Sequence, residues 1–179
     1  AQQPVVLKPV VVYATADEKF LAGSQIHAVD STVMKQWQAH NMGEVLALQF
    51  PIYFRQYGNG MLSSISMRGT SPQHTAVLWN GININSFSLG QADFSILPAA
   101  AFGRVSVHEG AGSSRFGSGA LGGTILLNTF TNQKASPFTF TQSAGSFGRY
   151  FTAARAALQK GRWQSNTHIS YLHMKNDFP

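Results

Sequence analysis

The sequence predicts a small α+β domain followed by antiparallel strands of the kind that build a transmembrane β-barrel. Up to about residue 133, two capped helices alternate with short strands and glycine-rich turns. After that point, runs of alternating polarity approach the ~9–11 residues of a barrel strand and are separated by short turns. No stretch reaches the ~20 consecutive apolar residues of a membrane-spanning helix. If the chain crosses a membrane, it is expected to do so with strands.

The composition fits a β-rich folded protein and excludes several function classes. Charged residues make up 11% of the 179-residue chain, well below the usual share, whereas 44% apolar residues are enough to form a core. The net charge of +6 comes from scattered basic residues, which form no stripe of the kind that binds nucleic acid. The chain has no cysteine, which excludes a disulfide framework, a thiolate metal site and a cysteine nucleophile.

The first 15 residues favour an extended backbone. Val5-Val6 and Val10-Val11-Val12 are β-branched clusters on either side of Lys8-Pro9, and a proline is disfavoured in a central strand. Two interpretations stay open here: a mobile extended segment, or an edge strand of the domain that follows.

Two short helices are predicted next, each with a capping residue. Asp30 and Ser31 are suited to cap a helix over 32–37. Asn41 and Glu44 have the spacing of a capping box, which opens a second helix through 45–48. Pro51 is expected to end that helix, because proline cannot continue the hydrogen-bond ladder.

Four strands complete the predicted α+β part. The first alternates over 64–68, and the second runs over 75–79 into the hairpin dipeptide Asn80-Gly81. Two further β-branched runs cover 104–108 and 124–128, and a glycine-rich stretch separates them.

Three longer strands are predicted beyond residue 133. The first includes the alternating run 138–141, and the others cover 150–159 and 163–174. In the second of these strands, the face that carries Arg155 is expected to contact water. In the third, alternation separates one group of side chains from another: Trp163, Ile169 and Tyr171 on one side, and Gln164, Asn166 and His168 on the other.

These three strands do not by themselves establish a barrel. A soluble β-meander has the same period, so that alternative stays open. Three strands cannot close a barrel, and hydrocarbon does not tolerate an unpaired sheet edge. If they are barrel strands, the remaining strands are expected in a separate polypeptide or a cleaved fragment, or they are absent.

Two ordered sequence blocks resemble the plug domain of TonB-dependent receptors. Residues 64–70 and 74–81 resemble an S-[VI]-x-[ILM]-R-G strand, a short loop and a hydrophobic strand that ends in [DN]-G. Residues 105–125 resemble V-x-V-x-x-G-x-x-S-x-x-[YF]-G-x-x-A-x-G-G-x-I. One departure is Ala111, where the family usually has proline.

The resemblance implies an outer-membrane transporter whose plug domain gates a barrel of about 22 strands. The implied division is a TonB-box segment at 1–18, the plug domain at 19–133 and the first barrel strands at 134–179. Outer-membrane lipid surrounds such a barrel in a Gram-negative bacterium, and the N-terminus lies in the periplasm. The implied partner is the periplasmic TonB protein, and a surface lipoprotein is a further candidate.

A candidate TonB box resembles the family's V-V-V-T-A form. It comprises Val10, Val11, Val12, Tyr13 and Ala14, with Tyr13 as an extra residue relative to that form. The family implies that TonB adds this segment as a strand by β-augmentation, in which main-chain hydrogen bonds provide the affinity.

The resemblance also assigns plug residues that pair with the barrel wall. In the family, the arginine of the R-G motif and the arginine before the aromatic–glycine pair meet carboxylates of the wall. Carried over by motif, these are Arg68 and Arg115, and Glu109 is a further candidate for the same network. The alternative is that the arginines are solvated at the surface.

Five glycines are predicted to be structural: Gly69, Gly81, Gly117, Gly122 and Gly123. The spacing Gly117-x-Gly119-x-x-Gly122 also matches the dinucleotide-binding fingerprint. That site needs a following helix aimed at the pyrophosphate, whereas a β-branched strand follows here, so tight turns are the preferred interpretation.

Two loops carry the candidate substrate contacts. Their amide, hydroxyl and aromatic groups suit a neutral polar ligand with apolar faces, although ordinary loop residues have the same composition. The candidates are Gln56, Tyr57, Asn59, Asn85, Ser86, Phe87 and Ser88.

Within the family, residues 90–98 are most similar to cobalamin receptors, which predicts uptake of cobalamin or a related corrinoid. A ferric-siderophore or haem receptor is the alternative, and an interaction or adhesion module without transport is an alternative of another class. No catalytic residue, cofactor or metal site is predicted, because the histidines form no i, i+4 pair and no nucleophile-elbow sequence is present. The chain is not expected to be an enzyme.

Overall fold

The computed structural model describes residues 25–58, 61–110, 116–117, 119–129, 138–146, 148–161 and 163–175. Within them the chain forms two short helices and three separate sheets. In chain order the elements are β1 (Gln25–Ala28), α1 (Ser31–Gln36), α2 (Met42–Gln49), β2 (Tyr53–Gln56), β3 (Ser63–Ser66), β4 (Thr75–Trp79), β5 (Ile82–Asn83), β6 (Arg104–Glu109), β7 (Gly123–Asn128), β8 (Phe138–Gly145), β9 (Arg149–Lys160) and β10 (Trp163–His173). Short 3₁₀ turns lie at Pro72–His74, Phe94–Ile96 and Ala99–Ala101. Across this described part, no helix is both long and apolar enough to cross a membrane.

Both helices begin at the predicted caps. The Asp30 carboxylate accepts a hydrogen bond from the Thr32 amide at 2.6 Å. This bond and the other hydrogen bonds from Thr32 stabilise the ionised form and lower the pKa of Asp30. The Asn41 side chain accepts from the Glu44 amide at 2.8 Å, which confirms the capping position at the start of α2. The chain leaves the helix at Phe50, whose extended backbone is the conformation that the following proline favours.

β1, β6, β7, β4 and β5 form a five-stranded sheet, in that order. All neighbours are antiparallel except β4 and β7, which run parallel from Thr75 opposite Gly123 to Trp79 opposite Leu127. The predicted hairpin after β4 is confirmed, since Asn80 and Gly81 have φ values of 49° and 86° and connect β4 to β5. Two consecutive residues with positive φ match the type I′ turn, whose twist agrees with that of the strands.

β3 is shorter than predicted. The alternation suggested a strand through Arg68, but β3 ends at Ser66 and Arg68 lies in a turn. Arg68 and Gly69 have φ values of 52° and 72°, and the Thr70 amide donates to the Met67 carbonyl at 3.0 Å. Two left-handed residues in succession reverse the chain, so a strand cannot continue through them.

The main core lies between one face of the five-stranded sheet and the two helices. Its largest fully buried side chains include Phe94, Phe102, Met42 and Leu46, each with less than 2% of its surface exposed. A smaller cluster covers the opposite face, where Ala76, Leu78 and Ala120 are buried against Phe116 and Leu126. β4 and β7 are therefore covered on both faces, which explains why their sequences are almost continuously apolar.

The three long strands form their own antiparallel sheet, in the order β10-β9-β8. β9 and β10 pair along their length, from Trp163 opposite Lys160 to His173 opposite Tyr150. The pairing places seven exposed, large apolar side chains on one face: Phe138, Phe140, Tyr150, Leu158, Trp163, Ile169 and Tyr171.

The opposite face of this sheet contacts the α+β part. Phe151 and Ala153 of β9 are 2% and 6% exposed and pack against Ala100. The expectation that the Arg155 face would contact water was therefore wrong at this end of the strand. Alternation along β9 correctly separated the two faces, but it carried no information about which neighbour covers each one.

Candidate functional site

The two sequence blocks meet where the turn at Arg68-Gly69 packs against Gly122 and Gly123. A Cβ atom added at Gly122 would lie 2.3 Å from the Thr70 Oγ1 and 3.1 Å from the His74 carbonyl oxygen. One added at Gly123 would lie 2.7 Å from the Met67 Cε. Glycine is required at 122 because the backbone of the other block lies against it, and at 123 because a Cβ would also lie 2.9 Å from the His108 carbonyl oxygen.

Two of the three candidate wall-pairing residues lie in the described part of the chain, one in a turn and one at the end of a strand. Arg68 is exposed, and among the described residues its guanidinium has no carboxylate within 4.0 Å. Glu109 is the last residue of β6, is half-buried, and lies opposite Gln25 of β1. Arg115 lies outside the described residues, as do the TonB-box candidates at 10–14. The structure does not bring Arg68 and Glu109 into contact with each other.

The first candidate substrate loop is the tip between β2 and β3. The Tyr57 amide donates to the Leu62 carbonyl at 3.3 Å and closes the tip, while the Tyr57 ring is 53% exposed. The Arg55 guanidinium carbon lies 4.6 Å from the centroid of that ring, within the range of a cation–π contact. Gln56 is exposed at the end of β2, and Asn59 lies outside the described residues.

The second candidate loop, 84–91, is held in shape by Asn85. Its side-chain amide donates to the carbonyls of Thr75 and Gly90, both at 2.9 Å, and its side-chain oxygen accepts from the Val77 amide at 2.9 Å. The Asn85 side chain therefore bonds the β4 backbone as a neighbouring strand would. Because both of its amide hydrogens are used, Asn85 has few groups left to offer a ligand.

The tip of this loop presents a large apolar side chain. Phe87 is fully exposed, at 108% of its reference surface, and Leu89 is 51% exposed. The Ser86 and Ser88 hydroxyls lie 3.2 Å apart, and the Gly90 amide donates to the Ser86 carbonyl at 2.7 Å. A rigid base therefore supports an exposed aromatic ring flanked by hydroxyls.

Asp93 connects the two loops, and sequence reasoning missed this role. Its Oδ1 atom accepts from the Ser95 amide at 2.9 Å and from the Ser63 amide at 3.1 Å. The bond to Ser95 could have been predicted, since Asp30 likewise accepts a hydrogen bond from the amide two residues later. The bond to Ser63 crosses 30 positions in the chain and left no local signal.

The α+β part and the three-stranded sheet line a partly open cavity of about 470 Å³. Lys35 of α1 lines it together with Arg155 and His168 of the sheet, and none of the described residues that line it carries a carboxylate. The Arg149 guanidinium of the sheet also donates to the Ala39 carbonyl. The contact between the two parts is thus apolar at Phe151 and polar and positively charged within the cavity.

No cluster of three or more histidine, aspartate or glutamate side chains that could hold a metal ion occurs in the described ranges. The exposed polar groups of the two loops instead supply hydrogen bonds and an aromatic surface. That arrangement suits an organic ligand that is held by hydrogen bonds and aromatic contacts.

The family model of the TonB-dependent receptor plug domain matches residues 19–124. The chain is 43% identical over 117 residues to the vitamin B12 transporter BtuB of Vibrio vulnificus, covering 65% of this chain and 19% of that protein. It is 33% identical over 113 residues to the vitamin B12 transporter BtuB of Photobacterium profundum, covering 63% and 19%. The matches thus span 19% of the length of these relatives.

The fold is also similar to that of solved receptors. The siderophore receptor PirA from Acinetobacter baumannii superposes with a TM-score of 0.61 at 21% sequence identity. The match covers 90% of this chain and 26% of that one, so it includes both the α+β part and strands of the following sheet.

Proposed function

This chain belongs to the TonB-dependent receptor family, and from that premise we propose that it is the gating part of a transporter driven by TonB. Receptors of this family are proteins of the outer membrane of Gram-negative bacteria. The physical task is to move a rare solute through a wide barrel without leaving a permanent hole. A folded domain inside the barrel can do this if a partner is able to disturb it.

The proposal assigns a separate role to each of three segments. Residues 1–18 bind TonB, residues 19–133 form the plug, and residues 134–179 begin the barrel wall. The exposed apolar face of β8, β9 and β10 supports the last assignment. Apolar side chains outside and polar side chains inside are the reverse of a water-soluble sheet and match a strand between lipid and lumen. Closure requires further strands, because an open edge is not stable in hydrocarbon.

TonB coupling is proposed for Val10 to Ala14, in a segment that faces the periplasm. β-branched residues favour the extended backbone that strand addition needs. A peptide of residues 1–18 is therefore expected to bind the C-terminal domain of TonB, and a Val11→Pro peptide to bind weakly because it lacks one donor. Val11→Thr keeps the donor and the branched shape and is the control. Equal binding of all three peptides would remove strand addition from the proposal.

Wall pairing is proposed for Arg68, Arg115 and Glu109. The exposed Arg68 guanidinium, held outward by a left-handed turn, supports this role because an ion on the plug surface inside a barrel needs a partner. Hydrated ion pairs are weak enough to rearrange when the plug moves. Arg68→Gln in the full-length receptor is expected to raise passive leakage of small solutes, whereas Lys160→Gln, at the exposed end of β9, is expected to leave leakage unchanged. Leakage equal to that of the unaltered receptor would argue against pairing at Arg68.

The proposed ligand is cobalamin or a related corrinoid. The 43% identity over 117 residues to a vitamin B12 transporter supports this assignment. The exposed Tyr57 and Phe87 rings and the neighbouring hydroxyls suit a large ligand with both apolar and polar surfaces. Ferric siderophores are the competing class and serve as the second arm of the test.

The test is equilibrium binding of cyanocobalamin and of ferric enterobactin to the full-length receptor in detergent. We expect saturable binding of cyanocobalamin alone, weakened about tenfold by Tyr57→Ala or Phe87→Ala, a loss of about 1.4 kcal/mol each. Tyr53→Ala is the matched control, because Tyr53 is 66% exposed at the other end of β2. Saturable binding of the siderophore alone would replace the ligand and leave the family assignment intact.

A further inference from the structure

The two candidate substrate loops are each closed by their own hydrogen bonds. In the first loop, the Tyr57 amide donates to the Leu62 carbonyl at 3.3 Å. In the second, the Ser86 amide donates to the Gln91 carbonyl at 2.9 Å. These bonds shape each tip separately and do not determine where one tip lies relative to the other.

Asp93 supplies that missing constraint. Ser63 follows Leu62 directly, and Asp93 lies two residues beyond Gln91, so the Asp93–Ser63 bond joins the bases of the two loops. Ser63 is fully buried, so water cannot replace the carboxylate as the acceptor for its amide. A carboxylate acceptor makes a stronger bond to an N–H than a neutral acceptor does.

The residues after Asp93 hold it in place. The Ser95 amide donates to the same Oδ1 atom, and Phe94 is 1% exposed in the main core. The Met42 amide donates to the Leu97 carbonyl at 2.8 Å, which ties the same segment to the start of α2. The Asp93 carboxylate is therefore fixed from its own side before it reaches Ser63.

We propose that Asp93 is a positioning residue that fixes the base of the β2–β3 tip, at Tyr57 and Leu62, relative to loop 84–91. A ligand then meets the two tips as a single preorganised surface, and its affinity includes no cost for ordering one loop against the other. The ligand side of this inference rests on the proposed function, while the joining of the loops does not.

Asp30 provides a matched comparison. Both aspartates accept from the amide two residues later, Thr32 for Asp30 and Ser95 for Asp93. Only Asp93 also accepts from a distant strand. Asp30→Ala therefore removes a local cap alone, and Asp93→Ala removes a local cap together with the connection between the loops. Asp93→Asn keeps an acceptor oxygen at the same position.

The experiment measures amide hydrogen exchange and cyanocobalamin binding in the full-length receptor in detergent. We expect Asp93→Ala to speed exchange at both 61–63 and 86–91 and to weaken binding about tenfold. Asp93→Asn and Asp30→Ala are expected to stay within about twofold of the unaltered receptor in binding and to leave exchange in both loops unchanged. Normal binding and exchange in Asp93→Asn would show that the effects of Asp93→Ala come from the lost acceptor oxygen and not from a general loss of stability.

Two results would overturn the inference. One is faster exchange in Asp93→Ala confined to 94–96, because only the local cap would then matter. The other is normal cyanocobalamin affinity in Asp93→Ala when the unaltered receptor binds that ligand. If the unaltered receptor binds no cyanocobalamin, the ligand proposal fails, and exchange in the two loops decides the inference independently.

Discussion

The two main sheets of this chain use apolar residues in opposite ways. In the α+β part, Phe94 is 1% exposed, and β4 and β7 of the five-stranded sheet are covered on both faces. In the three-stranded sheet, Phe140 is 57% exposed and lies in a row with other large apolar side chains. The same residue type therefore marks the inside of one part and the outside of the other. The difference is the one that the proposed placement of the three-stranded sheet in lipid requires.

The largest expected effect tests burial in the α+β part. Phe94→Ala should lower the free energy of unfolding by about 3–5 kcal/mol, because it leaves a cavity in the main core. Phe87→Ala should change it by less than about 0.5 kcal/mol, since that ring is exposed. Denaturant unfolding followed by tryptophan fluorescence of the full-length receptor measures both. Similar losses for the two variants would contradict the assigned core.

The next test addresses the outer face of the three-stranded sheet. Ile169 and Asn166 lie on opposite faces of β10, and both are exposed. If the Ile169 face contacts lipid, Ile169→Lys should cost about 2–4 kcal/mol in a bilayer, whereas Asn166→Lys on the polar face should be tolerated. Urea unfolding of the receptor in lipid vesicles measures the difference. A greater cost at Asn166 would reverse the assignment of the faces.

A smaller effect is expected from the close backbone contacts of the α+β part. Gly122→Ala should cost about 1–3 kcal/mol, because its new methyl group would displace the Thr70 hydroxyl and approach a carbonyl. Gly145→Ala in the three-stranded sheet should be nearly neutral, because its Cβ would lie at an ordinary 3.7 Å from the Arg149 Cβ. Thermal unfolding of the two variants compares them, and equal midpoints would show that the contact at Gly122 is not restrictive.

The smallest effect concerns the Asp30 cap and depends on pH. Folding lowers the pKa of this carboxyl below its ordinary value of 3.8, mainly through the backbone hydrogen bond from Thr32. Its stabilising contribution is therefore complete above pH 3.8 and is lost as the pH falls through the lower folded-state pKa. Thermal midpoints measured from pH 2 to pH 6 should decline less steeply in Asp30→Asn. An unchanged slope would show that the cap does not contribute.

Sequence reasoning worked best where the signal was local. The caps at Asp30 and Asn41 and the turn at Asn80-Gly81 depend on residues within a few positions, and the structure confirms all three. The short edge strand β1 and strand β2 were not predicted, because four residues show too little alternation to stand out.

Features that depend on distant partners were harder to predict. The covering of Phe151 depends on Ala100, and the second role of Asp93 depends on Ser63. The turn at Arg68 also departed from the alternating pattern, because its left-handed backbone is supported by packing against Gly122. In each case the residue's contact partner lies far away in sequence, so the local sequence pattern could not reveal that contact.

The strand order of the five-stranded sheet delays its folding until β6 and β7 are present. β4 lies next to β7, and β1 lies next to β6, so neither early strand has its long-range neighbour until residues 104–128 have been delivered. Closing such long loops before any pairing is gained slows folding. In a chain delivered from its N-terminus, this sheet is therefore completed only after β7, shortly before β8 follows.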